Sequence, residues 1–320
     1  MNTKHHISLP KKILFSFIPL LLIISLCEMF FRIFPFHKDS GQTLAGFVVR
    51  DKELGWRLKP RKEGPLATNE LGFRDTPLNH NADETILLLG DSISWGDSVA
   101  DLKKVYPYLF ETLLSEETGH TYEVINSGVP GYSTFQQLRY LQLYGIDLKP
   151  DMIILQFCLN DVIERYSTLA QYGGDNVFLG IDTRQSIRGM YGWLIRNSRV
   201  FEALNRLLIS VSRNQQEYDV RKMASDQLSR ELESAWALTL SEIDGINEIA
   251  VENDTPFMIV IAPYRFQLEQ PQKTNQPQKI LLKYGRDYGI PVVDLLPYFE
   301  SVSKKNRPIS LFNDANHFSI

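Results

Sequence analysis

Four short segments of the chain carry side chains that could do chemistry together: Gly90-Asp91-Ser92-Ile93-Ser94, Asn126-Ser127-Gly128, Leu159-Asn160-Asp161 and Asp314-Ala315-Asn316-His317. They supply a hydroxyl, donors for a developing oxyanion, a base and an orienting acid. That is the set needed for acyl transfer through a serine ester. A serine hydroxyl is a weak nucleophile until a base removes its proton. Ser92 follows the apolar run Ile86–Leu89 and Gly90, and Gly90 is expected to permit the tight turn that lifts Ser92 to the rim of a sheet. Of the six histidines (5, 6, 37, 80, 120 and 317), only His317 has a carboxylate three residues before it in a loop after the last apolar run. Asp314 can hold one ring nitrogen and fix the tautomer, leaving the other to face Ser92. Gly128 can offer a backbone N–H, and Asn160 a side-chain amide, to a developing oxyanion. Gly90, Asp91 and Asp161 take supporting places. Asp161 is expected to cap the segment after it, and Asn126 to bond at a strand end. Each pattern is common alone; a Gly-x-Ser triplet often only caps a helix. Their order, and their position at the ends of apolar runs, sets them apart.

The elements that must position these residues follow from the apolar pattern. Ile86–Leu89, Tyr122–Ile125, Met152–Phe157, Phe257–Ile261 and Pro291–Leu295 read as strands, the first of them continuously apolar as in a sheet buried on both faces. Helical patterns separate them, the clearest from about Asp226 to Glu252, with Leu228, Leu232, Ala235, Trp236, Ile243, Ile246 and Ala250 on one stripe. Strand and helix in alternation predict an α/β fold with a parallel sheet and ligands at the carboxyl ends of its strands. Residues 35–82, rich in charge, Gly and Pro, read as an irregular stalk or leader packing against a main domain at 83–320. A helical, lid-like insertion, roughly 162–225, follows the third strand directly and is expected to overhang the site. Its stretch from Arg184 to Arg213 holds six arginines against one acid, Glu202. These could favour an anionic polymer or phospholipid head groups, or simply be solvated.

The N-terminus carries a second signal. Lys4, Lys11 and Lys12 precede an apolar run that, counted from Ile13 to Phe34, has about the 20 residues needed to cross a bilayer. The preceding basic residues predict a cytoplasmic segment 1–12, a transmembrane anchor 13–34 and a periplasmic or otherwise extracytoplasmic remainder. Glu28 and Arg32 can pair near the far interface. Ser25-Leu26-Cys27 makes a poor cleavage site, so an uncleaved anchor is expected. The net charge of −4 gives no basic field for nucleic acid. The two cysteines, Cys27 and Cys158, lie in unrelated segments and predict no disulfide, and without CxxC or HExxH no metal or cofactor is expected.

The four segments resemble those of the SGNH hydrolases, also called the GDSL esterase/lipase family, with Ser92, Gly128, Asn160 and His317 at the family's four namesake positions and Asp314 completing the triad. The resemblance covers roughly Glu84 to Ile320. It implies a three-layer α/β/α flavodoxin-like fold of about five parallel strands. It also implies an oxyanion hole made by the N–H groups of Ser92 and Gly128 with the Asn160 amide. Leu54-Gly55-Trp56-Arg57 and Asn69-Glu70-Leu71-Gly72-Phe73-Arg74 look like the leader of membrane-anchored bacterial members. Cys158 stands where members often have Gly, and only three residues follow His317, where members continue into a helix, so either the sequence is truncated or the last loop is less supported. An α/β-hydrolase fits less well, because its Gly-x-Ser-x-Gly elbow would need Gly where Ser94 stands. The expectation is an ester hydrolase acting on an acylated envelope glycan or lipid. An O-acyltransferase using the same acyl-enzyme and a catalytically silent envelope binding protein are the alternatives.

Overall fold

The computed structural model describes residues 9–34, 48–61, 66–97, 99–164, 198–201, 203–204, 220–224, 226–269, 275–303, 311–313 and 317–319. They fall into two compact units, one of residues 1–41 with 181–215 and one of 42–180 with 216–320.

In the first unit, α1 spans Leu9–Ile33. The expected pair forms: Arg32 Nε donates to Glu28 at 2.9 Å. The same carboxylate accepts from the Ser198 hydroxyl at 2.8 Å and from the backbone N–H groups of Arg199 and Val200 at 3.1 and 3.2 Å. Glu28 thus caps the helical turn that begins at 199, satisfying donors a helix start leaves without intrahelical partners. Among the described residues no helix is long and apolar enough to cross a membrane; several side chains of α1 lie outside that set. The expectation that the insertion overhangs the site meets a different grouping, since 181–215 belong with 1–41. Most of 162–225 lies outside the described residues.

The second unit opens with a hairpin, β1 (Val48–Asp51) and β2 (Gly55–Leu58), paired antiparallel. The main sheet has five strands: β3 (Glu84–Leu89), β4 (Tyr122–Asn126), β5 (Met152–Cys158), β6 (Phe257–Ala262) and β7 (Val292–Asp294). All its pairings are parallel and the order is β4-β3-β5-β6-β7. The order reverses around β3, so the crevice between the carboxyl ends of β3 and its neighbours is the switch point where such sheets bind ligands. Each of the five strands lies on a run the sequence marked.

Alternation explains why those runs are continuous. In β3, Leu87 and Leu89 face one layer, with β5 residues Ile153, Leu155 and Phe157, while Ile86 and Leu88 face the other, with Val124 and Ile154. The first layer is closed by α4 (Thr134–Tyr140) and α6 (Arg230–Glu252), the second by Tyr106, Phe110 and Leu114 of α3 (Tyr106–Thr118). The stripe read from the sequence is the buried face of α6: Trp236, Ile243, Ile246 and Ala250 are buried, and Trp236 stacks on Phe157 at 5.7 Å. Each of the two isoleucines contributes roughly 1.5–3 kcal/mol of burial.

The leader is part of this core. Leu54, Trp56, Leu58, Leu66 and Phe73 are buried in the same cluster as the sheet residues. Tyr132 meets Trp56 edge to face, and its hydroxyl donates to the Trp56 carbonyl at 2.6 Å. The turn from Asn69 to Arg74 is built by Asn69, whose side-chain oxygen accepts from the N–H groups of Leu71 and Phe73, both at 3.1 Å. Gly72 is required there: at φ +86° a Cβ would lie 2.4 Å from the Leu58 carbonyl oxygen.

Candidate active site

Ser92 begins α2 (Ser92–Trp95) directly beyond β3. The N-cap is Asp91, whose carboxylate accepts the Ile93 N–H at 2.9 Å. Ser92 itself is the first helical residue, a position whose N–H has no intrahelical partner. The helix ends at once on Gly96, left-handed at φ 73°. Asp97 then folds back, its N–H bonding the Ser92 carbonyl at 3.0 Å.

Gly90 serves this turn differently from the expectation of a tight bend. Its φ is not positive, and what demands a glycine is proximity: a Cβ would lie 2.0 Å from Ser94 Oγ. Ser94 is fully buried; its hydroxyl donates to Gln156 Oε1 at 2.7 Å and lies 2.8 Å from the Tyr106 hydroxyl. Burial pushes the Tyr106 phenol up, so it stays protonated. The place that is glycine in an α/β-hydrolase elbow is here a polar anchor beneath the nucleophile turn.

The histidine reaches the serine. His317 Nε2 lies 2.8 Å from Ser92 Oγ, across 225 residues of chain. Its loop holds position through an isolated antiparallel bridge between Phe312 and Phe318 and through the Asn313 N–H, which donates to the His317 carbonyl at 2.7 Å. Phe312 and Phe318 pack with Phe299 of α7 (Leu296–Ser303), at centroid distances of 4.7–5.6 Å among the three rings. Among the described residues, this aromatic cluster packs beside the segment that carries His317. Asp314 lies outside the described residues. Sequence reasoning passed over Asp97, whose carboxylate is 3.8 Å from His317 Nε2. Its five-residue offset from Ser92 is one tight turn, and only the left-handed exit at Gly96 brings it back.

The other two segments converge on the same turn. Asn160 starts α5 (Asn160–Glu164) beyond β5, is buried, and donates through Nδ2 to Asp91 at 3.0 Å. Burial pushes the Asp91 carboxyl up, while the bonds from Asn160 and Ile93 and the nearby His317 draw it down. The Asp161 Oδ2 accepts the Cys158 N–H at 3.0 Å, tying the turn back to β5. Gly128, beyond β4, packs against α2, where a Cβ would come within 2.5 Å of Ser94 Cβ and 2.8 Å of Trp95 N. Its N–H donates to Asn126 Oδ1 at 3.1 Å. Asn126 in turn donates to the carbonyls of Ser94 and Arg74 at 2.9 and 3.3 Å, more than the strand-end role expected of it. Ser92, His317, Asn160 and Gly128 are thus gathered at the switch point around one four-residue helix. The described residues contain no group of His, Cys, Asp and Glu that could hold a metal ion.

Comparison with known proteins places the chain in a family. Residues 88–319 match the model of the GDSL-like Lipase/Acylhydrolase family. Among solved structures, AlinE4, an SGNH-hydrolase family esterase, is 18% identical at a TM-score of 0.42, covering 75% of this chain and 88% of that one. A lipase/acylhydrolase from Enterococcus faecalis is 16% identical at 0.41, covering 74% and 87%. Axe2, an acetyl-xylooligosaccharide esterase from Geobacillus, is 15% identical at 0.43, covering 75% and 88%. No curated protein matches. With the family match spanning both the Ser92 turn and His317, the chain belongs to the GDSL-like lipase/acylhydrolase family of carboxylic ester hydrolases.

Proposed function

We propose that the protein hydrolyses esters through an acyl-enzyme on Ser92, with His317 as base. The observation that carries the reading is the 2.8 Å contact between His317 Nε2 and Ser92 Oγ. Ser92 Oγ attacks the ester carbonyl carbon as its proton passes to His317, and the carbonyl electron pair moves onto oxygen. The Ser92 N–H, the Gly128 N–H and the second hydrogen of Asn160 Nδ2 hold that oxyanion. The Gly128 N–H is engaged by Asn126 at rest; exchanging a neutral acceptor for an anionic one favours the transition state over the ground state. Collapse expels the alcohol, which takes the proton from His317. Water then attacks the acyl group with His317 again as base, releasing the acid and restoring Ser92. Asp314, three residues before His317 in the sequence, orients the ring. Asp91, Asp161 and Gly90 hold the turns in place.

The protein is further read as a membrane-anchored bacterial type, with residues 13–34 as the span and the hydrolase unit outside the cytoplasm. Supporting this are Lys4, Lys11 and Lys12 ahead of the apolar run and the satisfied carboxylate of Glu28 at its far end. A tethered esterase fits an ester on an envelope glycan or lipid. Hydrolysis of p-nitrophenyl acetate, butyrate and dodecanoate by the full-length protein tests the activity and sorts acyl length. Turnover that vanishes in Ser92→Ala is expected; turnover that survives would sink the reading.

A further inference from the structure

The leader places an arginine where arginines are seldom found. Arg74 is 1% exposed, and its guanidinium is spent on backbone carbonyls. Nη1 donates to Trp95 O at 3.1 Å and Gly96 O at 2.7 Å, and Nη2 to Val99 O and to Ala100 O, the latter at 3.2 Å. The cation also lies over the Trp95 ring, 5.7 Å from its centroid. These carbonyls belong to the exit of α2, where a four-residue helix leaves acceptors unmet. Few groups other than a planar fork with five donors could hold four carbonyls of one turn in fixed geometry.

The same segment grips the other side of the site. The Arg74 carbonyl accepts from Asn126 Nδ2, and the Asp75 carboxylate accepts the Asn126 N–H at 2.9 Å. Asn126 in turn holds the Ser94 carbonyl and the Gly128 N–H. Two adjacent leader residues therefore tie the nucleophile turn to the Gly128 loop, from a segment that precedes the residues matching the family. Gly72 and Asn69, which shape the turn presenting Arg74, give that motif its reason.

We propose that Arg74 is a positioning residue for the nucleophile: its guanidinium fixes the carbonyls of Trp95, Gly96, Val99 and Ala100, and through them the aim of Ser92 and the place of Asp97 beside His317. This rests on the reading of Ser92 as nucleophile. A buried cation hydrogen-bonded to carbonyls, with only the nearby carboxylates of Asp97 and Asp101 to offset its charge, is costly unless the geometry it enforces is wanted. A hydrocarbon side chain would fill the space but take the guanidinium donors from those carbonyls, of which Gly96 O would keep only the Val99 N–H at 3.1 Å.

The test uses the full-length protein in detergent as wild type, Arg74→Lys, Arg74→Ala and Ser92→Ala. Two quantities are read: amide hydrogen exchange across 92–100 and p-nitrophenyl acetate hydrolysis. In Arg74→Lys, whose ammonium has three donors, exchange across 95–100 should rise about tenfold while β5 and β6 exchange as in wild type. The kcat should fall about 10²-fold with KM within about threefold, as for a misplaced reacting group. Methylguanidinium, but not methylammonium, should recover much of the loss in Arg74→Ala; if that variant does not fold, Arg74→Lys alone decides. Wild-type exchange across 92–100 in folded Arg74→Lys, or a kcat that falls only with the folded fraction, overturns the proposal. Undiminished hydrolysis in Ser92→Ala would instead remove the nucleophile assignment, while exchange across 92–100 would still decide whether Arg74 fixes the turn.

Discussion

At the scale of single residues, the site depends on places where no extra atom fits. Gly128 is bounded by Ser94 Cβ and Trp95 N, and a Cβ there would overlap both. Gly128→Ala is expected to cost about 1–3 kcal/mol of stability. It should also lower kcat about 10²-fold by displacing an oxyanion donor; thermal melting and steady-state rates read the two effects separately. Asp75 offers a prediction in pH. Its carboxyl is pushed up to about 7 from an ordinary 3.8, chiefly by burial, with Glu123 and Glu111 adding repulsion and the N–H groups of Asn126 and Thr76 opposing. Between those values the folded chain keeps a proton that the unfolded chain has released. Stability should therefore fall as pH rises from about 4 through 7. Asp75→Asn cannot ionise, so its urea midpoints should fall less steeply over that window. Equal slopes in the two proteins would mean the burial is not felt. Such facts were only partly legible in the sequence. Ser92 and His317 could be paired by residue type and order, but Gly90 reads as a turn glycine until the distance to Ser94 is known. Arg74 stands in the sequence only as the last residue of the leader motif, because its carbonyl partners are known only from the fold.

At the scale of elements, the strands were readable because a sheet covered on both faces makes them continuously apolar. The third strand, Met152–Cys158, shows this best: six of its seven residues are buried. The β1–β2 hairpin is only four residues a strand, and nothing local announces that Trp56 is core. The support of the last loop was equally hidden, because the Phe312–Phe318 bridge and Phe299 meet only in three dimensions. This cluster yields the next prediction. Phe318→Ala removes two of the three ring contacts and should loosen His317 more than it loosens the sheet. The kcat is expected to drop at least about tenfold, with sheet amides still protected. A variant with wild-type kcat would show that the bridge's backbone bonds alone hold the histidine.

At the scale of the whole molecule, the chain divides into a unit built around α1 and a hydrolase unit that includes the leader. The division follows neither chain order nor the boundary a sequence suggests, because residues 181–215 join the N-terminal helix from the far side of the third strand. If residues 13–34 anchor the protein, it should stay with membranes through an alkaline carbonate wash, and deletion of residues 1–34 should release it; release of the full chain would remove the anchor. The central claim is that Ser92 is an activated nucleophile dependent on His317. The most direct measurement treats the full-length protein with a fluorophosphonate and locates the adduct by mass spectrometry, beside Ser92→Ala and His317→Ala. Labelling at Ser92 in wild type, absent in Ser92→Ala and slowed about 10³-fold or more in His317→Ala, is the predicted result. Folded wild-type protein that takes no label, or takes it equally well without His317, would contradict the account.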